Sequence, residues 1–79
     1  MKAAQKSPTS FAIKFDREKD GRWIAEVTRL PGVMAYGKTK NEALRKVSAI
    51  ALRTLADTVE AGRRVPAVSR LFEHGMAGR

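Results

Sequence analysis

The chain has 79 residues, no cysteine, and sixteen lysines and arginines against eight aspartates and glutamates, a formal net charge of +8. A chain this short makes one domain with a thin core, and without thiols neither disulfides nor thiolate metal sites can reinforce it. No apolar run approaches the ~18–20 residues of a membrane span, and the basic, polar start from Met1 to Ser10 lacks the apolar segment of a secretory signal. The expectation is a soluble, cytoplasmic protein.

The charge is unevenly placed. Residues 11–60 hold ten basic and seven acidic groups. The remaining excess lies in the tails, on Lys2 and Lys6 at the start and on Arg63, Arg64, Arg70 and Arg79 near the end. Residues 1–9 are expected to be a flexible basic N-terminus, residues 10–73 the folded domain, and residues 74–79 a flexible C-terminal tail.

The first regular segment runs from Ser10 to Asp16, where Phe11, Ile13 and Phe15 alternate with Ala12, Lys14 and Asp16 as in a half-buried strand. Arg17 to Gly21 is polar and ends in Asp-Gly, a pairing suited to a tight antiparallel return. A second strand follows over Arg22 to Thr28, with Trp23, Ala25 and Val27 on one face and Ile24, Glu26 and Thr28 on the other. Leu30-Pro31-Gly32 has the residue order of a type II turn, and a short third strand over Val33 to Tyr36 ends at Gly37. Thr39 and Glu42 have the spacing of a capping box. The helix they open should run from Glu42 to about Glu60, with Leu44, Val47, Ser48, Ala51, Leu52, Leu55 and Val59 on its apolar side. Gly62 should end it in a left-handed cap, and Pro66 forbids its continuation. Ala67 to Phe72 is assigned as a fourth strand, with an arm ordered only against a partner as the alternative.

These residues do not suggest catalysis. The single histidine, His74, lies in the C-terminal tail, no serine or threonine has an activating neighbour in the sequence, and no glycine-rich loop leads directly into a helix. Asp16, Glu18, Asp20 and Glu26 lie on or beside the first hairpin. Clustered acids can hold Mg²⁺ for phosphodiester chemistry, but Arg17 and Lys19 flank the loop acids, and a solvated turn of mixed charge is the simpler reading. No enzyme, cofactor or metal is expected. Arg63, Arg64 and Arg70, with Arg45, Lys46 and Arg53 on the helix, are the candidates for phosphate contact in an RNA- or DNA-binding module.

The string Asp20-Gly21-Arg22-Trp23-Ile24-Ala25-Glu26-Val27, then Leu30-Pro31-Gly32-Val33, Gly37-Lys38-Thr39 and Glu42-Ala43 resembles the HicB-like antitoxin family of type II toxin–antitoxin systems, over about residues 10–72. The resemblance implies an α+β fold, β-β-β-α-(β), with one long helix on one face of an antiparallel sheet, described in that family as partial RNase H-like without nuclease activity. It also implies a HicA-like toxin partner that cleaves mRNA and is inhibited by protein–protein contact, and a homodimer or higher homo-oligomer. Because an RNA-cleaving toxin is expected to be basic, Asp16, Glu18, Asp20 and Glu26 are the toxin-binding candidates. Too few residues follow Phe72 for the DNA-binding domain that many members carry, so autorepression by this chain alone is not expected.

Overall fold

The computed structural model describes residues 10–72. Three strands, β1 (Ile13–Arg17), β2 (Trp23–Val27) and β3 (Met34–Gly37), precede a long helix α1 (Lys40–Glu60) and a single turn of helix α2 (Pro66–Ser69). The strands form an antiparallel sheet in the order β1-β2-β3, with Phe15 opposite Ala25 and Ala25 opposite Ala35. This is the α+β arrangement expected from the chain's two-residue and helical periodicities.

Both connections between strands follow from local chemistry. In the first hairpin the Glu18 N–H donates to the Arg22 carbonyl at 2.7 Å and the Gly21 N–H to the Glu18 carbonyl at 2.9 Å. Asp20 adds a side-chain clamp, its carboxylate accepting from the Arg22 N–H at 3.0 Å and from Arg22 Nε at 2.8 Å. In the second connection the Val33 N–H donates to the Leu30 carbonyl at 3.0 Å, with Gly32 at φ +83°. That is the type II turn which Leu30-Pro31-Gly32 predicts.

One sheet face is buried by α1. Ala25, Val27, Val33 and Ala35 from the sheet meet Ala43 and Val47 from the helix, with Phe11, Ile13, Phe15, Trp23, Leu30, Ile50 and Ala51 packed around them. The largest fully buried side chains are only Val27 and Val47, so the layers sit close together. Each such valine contributes about 1.5–3 kcal/mol through removal of apolar surface from water. Closest approach occurs where β3 runs into the helix: Gly37 is buried, and a Cβ there would strike the main-chain nitrogen of Ala43 and lie 2.9 Å from the Glu42 carbonyl carbon.

The helix begins at Lys40, two residues before the position expected, directly after the expected cap Thr39. Thr39 is extended, and its Oγ1 accepts from the Glu42 N–H at 3.0 Å. The return half of the capping box is shifted by one residue, since Glu42 Oε1 accepts from the Lys38 N–H at 2.6 Å instead of from Thr39. That main-chain bond, helped by Lys46 at 3.6 Å and opposed by partial desolvation, holds the Glu42 carboxyl below its ordinary value of 4.5. At the other end Gly62, at φ +87°, donates to the Val59 carbonyl and Arg63 donates to the Thr58 carbonyl. This is the Schellman arrangement, in which a residue without Cβ turns the chain while satisfying the last carbonyls.

Two expectations are corrected. The apolar side of α1 is rotated from the one anticipated: Ala43, Val47 and Leu55 are buried, whereas Leu44, Leu52 and Val59 are exposed. The close seat at Gly37 requires the small Ala43 to face the sheet, and this swings Leu44 outward. The fourth strand does not form; Pro66–Ser69 is helical instead. Proline's fixed φ and missing N–H disfavour continuation of α1 but suit the first position of a new helix. The Val65 carbonyl accepts from the Val68 and Ser69 N–H groups at 3.0 Å, and Ala67 is buried. The expected flexible segments 1–9 and 74–79, and His74, lie outside the described residues.

Two measurements check this construction. Gly37→Ala gains about 0.8 kcal/mol or less from one added methyl, but collides with backbone that cannot rotate away, an overpacking cost of about 1–3 kcal/mol; denaturant unfolding should show net destabilisation. For Glu42, the lowered native pKa means that its contribution is complete above the ordinary value and is lost as pH falls through the native one. Wild type should therefore melt above Glu42→Gln at neutral pH, and the gap in Tm should shrink on acidification below about pH 4.5.

Candidate functional site

The sheet has a second face that no element of the described chain covers. Side chains alternate along each strand, so the residues opposite the core are Lys14 and Asp16 on β1, Ile24 and Glu26 on β2, and Met34 and Tyr36 on β3. The register places Lys14 opposite Glu26, Asp16 opposite Ile24, Ile24 opposite Tyr36 and Glu26 opposite Met34. Met34 and Tyr36 are each about 40% exposed. The Arg22 guanidinium lies 4.4 Å from the Tyr36 ring centroid, a cation–π contact that steadies the ring at the sheet margin.

The four acidic candidates divide into two pairs. Asp16 and Glu26 lie on this open face, where Lys14 reaches to 3.8 Å from Asp16. Glu18 and Asp20 lie in the hairpin loop. Asp20 is held below its ordinary carboxylate value chiefly by the Arg22 main-chain N–H, which with the Arg22 guanidinium outweighs the opposing desolvation. The surface is therefore an apolar strip, formed by Ile24, Met34 and Tyr36, edged by acids whose charge Lys14 and Arg22 partly balance. It suits a protein contact with a polar rim better than a small-molecule site, because it is an open sheet face. Among the described residues no three histidines, cysteines, aspartates or glutamates gather closely enough to hold a metal ion.

The basic candidates also separate. Arg45, Lys46 and Arg53 line one groove of about 300 Å³ with Ala35, Ala49 and Ile50, between α1 and the outer margin of β3. Arg63 and Arg64 sit beyond the end of α1, which itself runs about two turns past Arg53, and Arg70 caps α2. The six cations thus form no single track.

Sequence reasoning missed a third surface. An apolar groove of about 520 Å³ runs between the second half of α1 and α2, lined by Leu52, Leu55, Val59, Ala67, Leu71 and Phe72 among others, with Glu60 the only charged wall among the described residues. Leu52, Leu71 and Phe72 are 65%, 70% and 65% exposed. Placing Leu52 and Val59 in the core, and Leu71 and Phe72 in a strand, concealed it. The signal available was Pro66 preceding an alanine–valine pair, which reads as a helix start. Among the described residues no helix is long and apolar enough to cross a membrane.

Comparison with protein-family models, with curated proteins and with solved structures found no match to this chain.

Proposed function

We propose that this chain is a HicB-like antitoxin module: a non-catalytic protein that binds a cognate HicA-like, mRNA-cleaving toxin and blocks RNA from reaching it. The observation that carries the reading is the motif string from Asp20 to Ala43. Its pieces fall in the order hairpin, strand, turn, strand, helix start, which agrees with the three-strand, one-helix order and with the partial RNase H-like fold expected of that family. The open sheet face supports it further. Ile24, Met34 and Tyr36 offer an apolar centre, and Asp16 and Glu26, with Glu18 and Asp20 in the adjoining loop, offer acids to a basic partner.

The reading includes self-association. A chain of this size gains stability by covering exposed apolar area with a second copy, and Leu52, Val59, Leu71 and Phe72 are the largest such area away from the open sheet face. With Glu60 as the only charged wall among the described residues, a two-fold contact there brings no cation of the groove lining against its own copy.

Co-expression with the product of the reading frame adjacent to this chain's own tests the first claim, which expects that product to be a small basic protein. The two should co-purify, growth arrest by the neighbour should be relieved, and Ile24→Glu with Tyr36→Glu should abolish both effects. A neighbour that neither binds nor is relieved overturns the reading. Sedimentation tests the second claim: the wild type should sediment as a dimer or larger, and Leu52→Glu with Leu71→Glu as a folded monomer. A wild type that is monomeric at high micromolar concentration contradicts it.

A further inference from the structure

The margin of the sheet at β3 combines features that the antitoxin reading does not use. β3 is an outer strand, so among the described residues one side of its backbone has no neighbouring strand. The Val27 N–H donates to the Val33 carbonyl at 3.0 Å, which fixes the phase of the ladder. Residues 33, 35 and 37 turn their main-chain groups toward β2, and the alternate residues Met34 and Tyr36 turn theirs outward. An outward row of unpaired N–H and C=O groups is a template for another strand.

The groove formed by Ala35, Arg45, Lys46, Ala49, Ile50 and Arg53 lies along that same margin. Its floor is made of small or aliphatic side chains and three cations stand over it. Lys46 is partly balanced by Glu42 at 3.6 Å, whereas Arg45 and Arg53 form no ion pair among the described residues. Among the described residues no aromatic side chain lines the groove, so they give it none of the stacking surface that single-stranded nucleic acid favours. A second copy of the chain would bring the same three cations against themselves, and that like-charge contact is unfavourable.

The geometry points to strand addition: the outer edge of β3 is a docking site for an extended acidic segment of a partner protein. The segment pairs its backbone with Met34 and Tyr36 and directs every second side chain, an aspartate or glutamate, onto Arg45 and Arg53. Main-chain pairing supplies the affinity, and the alternation of side chains supplies the selectivity. Residues between the acids point to the open face beside Met34 and Tyr36. The site adjoins the open face proposed for the toxin but rests on the β3 backbone edge with Arg45 and Arg53, so either claim can fail while the other stands.

The test uses the full chain and a blocked nonapeptide in which glutamate alternates with threonine. Fluorescence anisotropy should show saturable binding that weakens with added salt. It should weaken at least tenfold for Arg45→Gln with Arg53→Gln, both exposed positions, in a variant whose circular dichroism should match that of the wild type. The same peptide N-methylated at alternate amides should lose binding in one of its two methylation phases, because only one phase faces β3. By NMR, bound peptide should slow amide exchange at Met34 and Tyr36 by tenfold or more, with little change at Ala25 or Ala35. Absence of binding, indifference to both methylation phases, or unchanged exchange at Met34 and Tyr36 overturns the proposal. So does an oligouridylate of similar length that binds with the same arginine dependence while the peptide does not, which would make the groove a phosphate site.

Discussion

The close seat of α1 on the end of β3 governs the rest of the molecule. Gly37 brings the strand backbone against Ala43, and the helix then lies on a sheet face made of Ala25, Val27, Val33 and Ala35. Small side chains allow this approach and also limit what it yields. With Val27 and Val47 as the largest fully buried side chains, stabilisation comes from close packing and satisfied turns more than from apolar bulk. Thr39 and Glu42 at one end of the helix and Gly62 at the other tie off its backbone groups, so the seat is held by both packing and capping.

The same constraint determines which surfaces remain open. Among the described residues one helix covers one sheet face, and none covers Ile24, Met34 and Tyr36 on the other. Because Ala43 faces inward, Leu44 and Leu52 face outward, and Leu52 becomes a wall of the groove that α2 completes with Leu71 and Phe72. The orientation of α1 also sets Arg45, Lys46 and Arg53 beside the β3 margin. An apolar sheet face, an apolar groove and a cationic sheet margin thus have a common structural origin. All three have the character of surfaces for macromolecular contact.

Local signals in the sequence were legible in proportion to how locally they act. The Asp20-Gly21 and Leu30-Pro31-Gly32 turns, the alternation of Ile13, Phe15, Ala25 and Val27, the Thr39 cap and the Gly62 terminator depend on residues within a few positions, and the structure contains each. The facing of α1 does not depend on local residues. Leu44 and Ala43 are neighbours on the helix, and hydrophobicity alone favours burial of the leucine; the decision belongs to Gly37, which lies on another element. Ala67 to Phe72 failed for a related reason. Their alternation mimics a strand, while Pro66 starts a helix, and the burial of Ala67 decides between them. The acids were found in sequence, but Arg22 clamping Asp20 and Lys14 approaching Asp16 depend on the hairpin's register. The gathering of Arg45, Lys46 and Arg53 with Ala35 likewise becomes visible only once the helix is placed against β3.

Hydrogen exchange on the isolated chain tests this arrangement most directly. With α1 seated through Gly37 and β3 as an open edge, the amides of Ala25, Val27, Ala35 and Val47 should exchange slowly, near the limit set by global unfolding. Those of Met34 and Tyr36 should exchange orders of magnitude faster, although they alternate with protected neighbours. Equal protection along the whole of β3, or rapid exchange at Val47 alongside Met34, would contradict it.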